Sequence, residues 1–210
     1  MAARGDTDVY RRDPLMEANV VVQAAAAPST HDGDVAPYSM TRVTSSDIDD
    51  QAANLTQWQQ VYAQMTPGHF VGSVHEVCFG GVQVFRETTS QAVHESGAPW
   101  TGSRAVGEPM RVEGAALFRG QAVDSDALVT LGGDDELDFY TPRGFDILGF
   151  AVDERQLEAH ARQIEHRDIA AVFDGKCVLK TDVGRRDEFR RLLLSVLQSL
   201  GANPAAAGFR

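Results

Sequence analysis

The chain has 210 residues, with 19 Lys and Arg against 30 Asp and Glu, for a formal net charge of −11. Only Lys176 and Lys180 are lysines; counterion release on DNA or RNA needs clustered basic side chains, so this chain is not expected to grip nucleic acid. Hydrophobic residues at 43% and charged residues at 23% are ordinary for a folded domain and exclude wholesale disorder.

Two cysteines, Cys78 and Cys177, are too few for a disulfide framework or a four-cysteine zinc site. No run reaches the roughly 18 apolar residues of a membrane-spanning helix. The opening MAARGDTDVYRRDP lacks the basic-then-apolar pattern of a signal peptide. The expectation is a cytoplasmic protein with no membrane partner.

Residues 1–44 read as a flexible tail: Tyr10 and Tyr38 are their only aromatics, breakers recur, and Asn19–Ala24 is at most a short strand. Order is expected from Asp47. Leu55, Trp58, Tyr62 and Met65 stand at offsets 0, 3, 7 and 10, which predicts a helix capped by Asp49 or Asp50 and ended by Pro67-Gly68. From His69 to Thr89 the period becomes two, around Gly80-Gly81, a pair that tolerates the positive φ of a hairpin turn. Residues whose numbers sum to 161 then face each other. One face carries Val74, Glu76, Cys78, Gln83, Phe85 and Glu87, the other His75, Val77, Phe79, Val82, Val84 and Arg86. Which face turns inward is left open.

Short strands continue over 92–150, in ALFRGQ, ALVTL, ELDFYTP and FDILGFAV, without helices between them, which points to a sandwich or barrel. Asp153 with Gln156 resembles a capping box opening a thin surface helix. Phe189, Leu192, Leu193, Val196, Leu197 and Leu200 lie on one stripe of a stronger terminal helix, with Gly201 as its stop. That stripe suits packing inside the molecule and dimerisation about equally. Residues 202–210 read as a linker. The expected division is therefore 1–44 tail, 45–152 helix plus barrel, 153–201 helical dimerisation segment, and 202–210 linker.

The familiar catalytic motifs are missing. There is no G-x-x-x-x-G-K loop and no G-x-S-x-G elbow, and Ser103 reads as a loop serine. His75-Glu76, with His69 and His94 at unhelpful distances, falls short of the three or four ligands a zinc or iron site requires, so no metal or cofactor is expected. Glu76 and Glu87 share a strand face with Phe85, whose apolar neighbourhood could raise a carboxyl pKa. That serves a catalytic acid, an anionic seat for an amine or hydroxyl ligand, or a plain solvated face. Trp100, in a Gly/Pro-rich loop, suits core packing or the rim of a pocket.

Several short pieces, in order, resemble one family. They are Thr66-Pro67-Gly68-His69-Phe70, Gln83-Val84-Phe85-Arg86-Glu87, Ala98-Pro99-Trp100-Thr101-Gly102-Ser103, and Glu136 to Pro142 leading into Gly144-Phe145-Asp146. From Trp58 to Val152 the chain resembles the N-terminal sensor domain of AraC/XylS-type bacterial transcriptional regulators, nearest the subgroup of ethanolamine-operon regulators. The resemblance implies an α+β fold: a cupin-like antiparallel β-barrel or sandwich followed by C-terminal helices. It implies a small-molecule effector bound in the barrel, a homodimer through the terminal helices, and promoter DNA read only by a separate C-terminal helix-turn-helix domain, for which nothing after Gly201 has the pattern. The ligand-binding residues expected here are Glu76, Gln83, Phe85, Glu87 and Trp100; those of the dimer are Phe189, Leu192, Leu193, Val196, Leu197 and Leu200. The rival readings are a cupin-type enzyme and a stand-alone module that forms mixed dimers with full-length regulators.

Overall fold

Gly80 and Gly81 adopt φ of 53° and 79°, the left-handed pair that closes a two-residue hairpin whose twist matches its strands. The hairpin they close is the frame of the molecule. A computed structural model of the chain describes residues 38–124, 126–166 and 168–202. Strands β1 (Tyr38–Ser45), β3 (Gly72–Phe79), β4 (Val82–Thr89), β11 (Phe145–Asp153), β6 (Ser103–Arg111), β9 (Ala127–Gly132) and β12 (Val178–Lys180) form one sheet in the order β1-β3-β4-β11-β6-β9-β12. Strands β2 (Gln59–Gln64), β5 (Val93–Ala98), β10 (Leu137–Thr141), β7 (Ala116–Phe118) and β8 (Gln121–Val123) form a second in the order β2-β5-β10-β7-β8. The strand pairings described, such as β3 with β4 and β5 with β10, are antiparallel. The hairpin register is the expected one, from Gly72 opposite Thr89 to Phe79 opposite Val82.

The two sheets face each other across a shared apolar layer. Ala105, Val129, Leu131 and Ala151 from the larger sheet meet Phe118, Leu137 and Phe139 from the smaller. Phe139 takes edge-to-face contacts from Phe118 and Phe145, at centroid separations of 5.1 and 5.3 Å, a geometry that aligns ring edges with ring faces. The result is an antiparallel α+β sandwich with a few helices: α1 (Ile48–Ala52), α2 (Glu154–His160) running into a π-helical turn at Ala161–Glu165, α3 (Ala170–Phe173) and α4 (Val183–Ala202).

The hairpin is buried on both sides. Val74, Glu76, Gln83, Phe85 and Glu87 turn into the sandwich, while Val77 and Val84 on the opposite face are covered by Leu193, Leu197 and Leu200 of α4. Leu148 joins that outer cluster from β11, and Phe150 meets Phe189 edge to face at 5.8 Å. Burying a leucine contributes roughly 1.5–3 kcal/mol, so three of them hold α4 firmly to the sheet. Arg190 adds a charged clamp. Its Nε donates to Oε1 of the fully buried Glu108 at 3.0 Å, with Arg186 close by.

Several expectations are corrected. The helix foreseen through Leu55, Trp58, Tyr62 and Met65 exists only as the single turn of α1, capped by Asp47 rather than Asp49 or Asp50. Gln57 takes a φ of 65°, which no helix continues through, and β2 follows with Tyr62 inward and Val61 outward. The end of the expected tail is a strand: Tyr38–Ser45 forms β1 and adds an edge strand to β3. Ser103 is not a loop serine: it opens β6 and is fully buried. The segment 153–201 is not wholly helical, since β12 pairs with β9, and α4 runs through Gly201 to Ala202. The possible strand at Asn19–Ala24 lies outside the described residues. Of the capping box expected at Asp153 only one half forms: the Asp153 side chain accepts from the Gln156 amide at 2.9 Å, while the Asp153 amide donates to the Gly81 carbonyl at 3.2 Å.

Candidate functional site

Alternation along β4 sends Gln83, Phe85 and Glu87 into the sandwich, and their partners on β3 are Cys78, Glu76 and Val74. The face that sequence alone left open is therefore the polar one. Enclosing carboxylates there is costly unless donors meet them, and the two glutamates are met differently.

Glu76 is consumed in structure. It accepts from the Thr56 amide at 2.8 Å, from the Thr56 hydroxyl and from the Gln83 side-chain amide. Gln83 also donates to the Thr56 carbonyl at 3.0 Å and accepts from the Trp58 indole N–H at 2.7 Å. Together Glu76 and Gln83 fasten the segment between α1 and β2 across one end of the sandwich. Leu55 and Trp58 of that segment are thereby pressed onto Phe85.

Glu87 accepts from Gln51 Nε2 at 2.8 Å and from the Tyr62 hydroxyl at 3.1 Å to each carboxyl oxygen. Burial pushes its carboxyl up to about 7, against the partial relief of those two neutral donors. Glu95 on β5 sits opposite Tyr62 in the β2–β5 ladder and is 7% exposed. Its carboxyl is held well above the usual range, first by burial and then by the charge of Glu87, with the Thr141 hydroxyl offsetting part. Tyr62 is driven well up in turn, by burial and by both carboxylates. Among the described residues, no basic side chain figures among the charges acting on either acid. Two acids that share a site compete for ionisation, and among the described residues neither forms an ion pair that relieves it.

This pair lines a small, partly open interior cavity of about 50 Å³. Its other walls are apolar, from Leu55, Trp58, Phe85, Phe118, Phe139 and Ile147. Gln60 also lines it, and its Oε1 is buried without a hydrogen-bond partner. Two glycines keep the interior open to these rings. A Cβ on Gly149 would lie 2.7 Å from Phe85 Cζ, and one on Gly107 would lie 2.8 Å from Ile147 Cδ1.

A second, wider groove of about 440 Å³ runs along the hairpin turn, lined by Trp100, Gln83, Cys78, Gln57 and Gln156 among others. Burial, and the charge of Glu76, push the Cys78 thiol up to about 12, so it is no nucleophile near neutrality. Trp100 is half-buried, packing against the apolar layer on one side and lining this groove on the other.

The five residues expected to bind ligand are thus divided. Phe85 and Glu87 line the interior cavity, Gln83 and Trp100 line the outer groove, and Glu76 lines neither. Sequence reasoning missed Gln51, Gln60, Tyr62 and Glu95. The available signals were the alternation Trp58, Gln60, Tyr62 and the single acid in the period-two run Val93, Glu95, Gly97. His75 and Glu76 point to opposite faces of β3. Burial, Arg42 and Arg86 hold His75 down at about 4. Among the described residues, no group of three or more His, Cys, Asp or Glu side chains is placed to hold a metal ion, and no helix is long and apolar enough to cross a membrane.

The expected dimerisation residues have a nearer use. Leu193, Leu197 and Leu200 are buried against the chain's own sheet, and Phe189 and Val196 pack beside them. Leu192 alone of the six is exposed, at 61%. No family model and no solved structure matches the chain.

Proposed function

We propose that this chain is the effector-sensing module of a bacterial AraC-type transcription regulator, with the interior cavity as the effector site and DNA reading left to a separate C-terminal domain. One observation carries the proposal: the strands that wall the cavity also carry α4. Phe85, Ile147 and Gly149 face inward from β4 and β11, while Val84, Leu148 and Phe150 on the same strands face α4. A ligand that displaces Phe85 moves the bed on which α4 rests, and differential affinity for two helix positions is what a sensor requires. The sequence motifs shared with AraC-type sensors give the reading its direction, and the −11 net charge agrees with a half of the protein that does not touch DNA. Homodimerisation then falls to the outward side of α4 around Leu192, since the rest of the stripe is occupied.

A thermal-shift screen of small molecules tests this. A ligand at one hundred times its Kd stabilises by about 2.7 kcal/mol, which raises Tm by roughly 5–11 °C for a chain of this length. The shift is expected to vanish in Glu87→Ala and Phe85→Ala proteins. A shift that survives both substitutions but is lost in Trp100→Ala would move the site to the outer groove.

A second reading is favoured by the Glu87 carboxyl near 7 beside Tyr62: a metal-free acid–base enzyme, since a general base works best with a pKa close to the operating pH. Turnover of a bound compound, abolished by Glu87→Gln, would select it.

A further inference from the structure

Two different kinds of contact hold α4 to the sheet. Over residues 193–200, Leu193, Leu197 and Leu200 are buried in the outer apolar cluster. Over 183–192 no residue is buried, and Phe189 against Phe150 is the apolar contact of that half. Charge fastens it instead. Arg190 donates through Nε and Nη2 to Glu108 Oε1 at 3.0 and 2.5 Å. Arg186 stands 3.6 Å from the same oxygen and reaches Asp126 at 3.2 Å. Asp187, from α4 itself, sets a like charge near Glu108.

Glu108 sits where a charge is costly. It is fully buried on β6 opposite Leu148, and among the described residues its Oε2 has no hydrogen-bond partner. Burial pushes its carboxyl up, against the pull of Arg190 and Arg186. Apolar side chains of similar volume commonly hold a fold as well as a buried ion pair does, so such a pair suits fixing one position of a helix better than adding stability. We propose that residues 183–192 form a latch, clasped to the sheet by Glu108 and Asp126 through Arg190 and Arg186, which opens as a unit while 193–200 stays docked. Loss of the Glu108 charge releases it. The arginine side chains keep 29% and 13% exposure, so they can turn to water once the acid is neutral. Segments with few buried apolar contacts open locally at low cost, and Phe189 is the main one in this half. The latch concerns the release of α4 and stands whether or not the interior cavity takes a ligand.

Amide hydrogen exchange, read residue by residue on the full chain at neutral pH, tests the latch. Amides 187–191 report on its opening and amides 197–200 on the docked half. In Glu108→Gln protein, which keeps side-chain volume and removes the charge, protection at 187–191 is expected to fall about tenfold, the difference between a charged and a neutral hydrogen bond. Protection at 197–200 is expected to stay within about twofold of the native chain. A loss shared equally by both halves would make Glu108 a plain structural support and overturn the latch. Unchanged protection at 187–191 would overturn it as well. Asp126→Asn reads the same ratio at the solvent side of the network, with the buried carboxyl left in place, and decides the matter should Glu108→Gln fail to fold. It is expected to lower protection at 187–191 by roughly two- to fivefold with 197–200 unmoved, and an equal effect on both halves, or none, overturns the proposal.

Discussion

Replacing Glu87 by Gln is expected to make the protein more stable at neutral pH. The Glu87 carboxyl is fully enclosed between the sheets and titrates at about 7, against an ordinary value of 4.5. A group whose folded-state pKa is raised holds more protons folded than unfolded, so its stabilising contribution is complete below pH 4.5 and is lost as pH rises through 7. The rise from 4.5 to about 7 amounts to about 3 kcal/mol across that window. Glutamine keeps an acceptor for Gln51 Nε2 and for the Tyr62 hydroxyl and cannot ionise. The stability of Glu87→Gln relative to the native chain should therefore grow by about 3 kcal/mol from pH 4.5 to 7 and level off above. Urea unfolding followed by circular dichroism at half-unit pH steps measures that difference directly, and processes common to both proteins cancel. Glu95→Gln should give the same sign, because its carboxyl is raised by burial and by Glu87. A difference that is flat across the window, or that falls as pH rises, would show that the Glu87 carboxyl is not raised by burial. Such a result would mean that Glu87 is solvated or paired with a cation.

Leu197, 2% exposed under α4, should cost about 2–5 kcal/mol when cut to Ala, whereas Leu192→Ala should stay within about 0.5 kcal/mol; both are read from urea midpoints. Gly149→Ala places a methyl 2.7 Å from Phe85 Cζ and should destabilise by about 1–3 kcal/mol through displacement of that ring, visible as altered near-ultraviolet circular dichroism. Thr56→Val removes the hydroxyl that donates to Glu76 and leaves a buried acceptor short of one bond, a loss of about 1–3 kcal/mol. Faster amide exchange over 53–58 should accompany it.

Much of the frame was legible because local chemistry determined it. Gly80-Gly81 dictates one turn type, and that turn fixes the register of β3 and β4 residue by residue. The α4 stripe was legible for the same reason, since Phe189 to Leu200 repeats at helical spacing. Its use was not, because an apolar stripe does not distinguish a partner chain from the sheet beneath it. Here Val77, Val84 and Leu148 take it up.

The failure at 53–65 has a different cause. Leu55, Trp58, Tyr62 and Met65 satisfy a helical period, but Trp58, Gln60 and Tyr62 equally satisfy alternation. Docking to β5 and the bonds of Thr56 and Trp58 to Glu76 and Gln83 decide between them. The centre of the site was the least legible part. Glu87 and Glu95 lie on different sheets, eight residues apart in sequence, and nothing local says that they meet. The inward position of Glu95 follows only from β5 lying between β2 and β10.

If a small molecule occupies the interior cavity beside Glu87, Trp58 senses it from the cavity wall. The chain has two tryptophans; Trp58 lines the interior cavity and Trp100 the outer groove. In Trp100→Phe protein, Trp58 is the sole indole, and its emission can be followed through titration with compounds found by thermal shift. A saturable change in that emission is expected, abolished when Glu87→Ala is added. Stabilising compounds that leave Trp58 emission untouched, or that change it equally without Glu87, would contradict binding in that cavity.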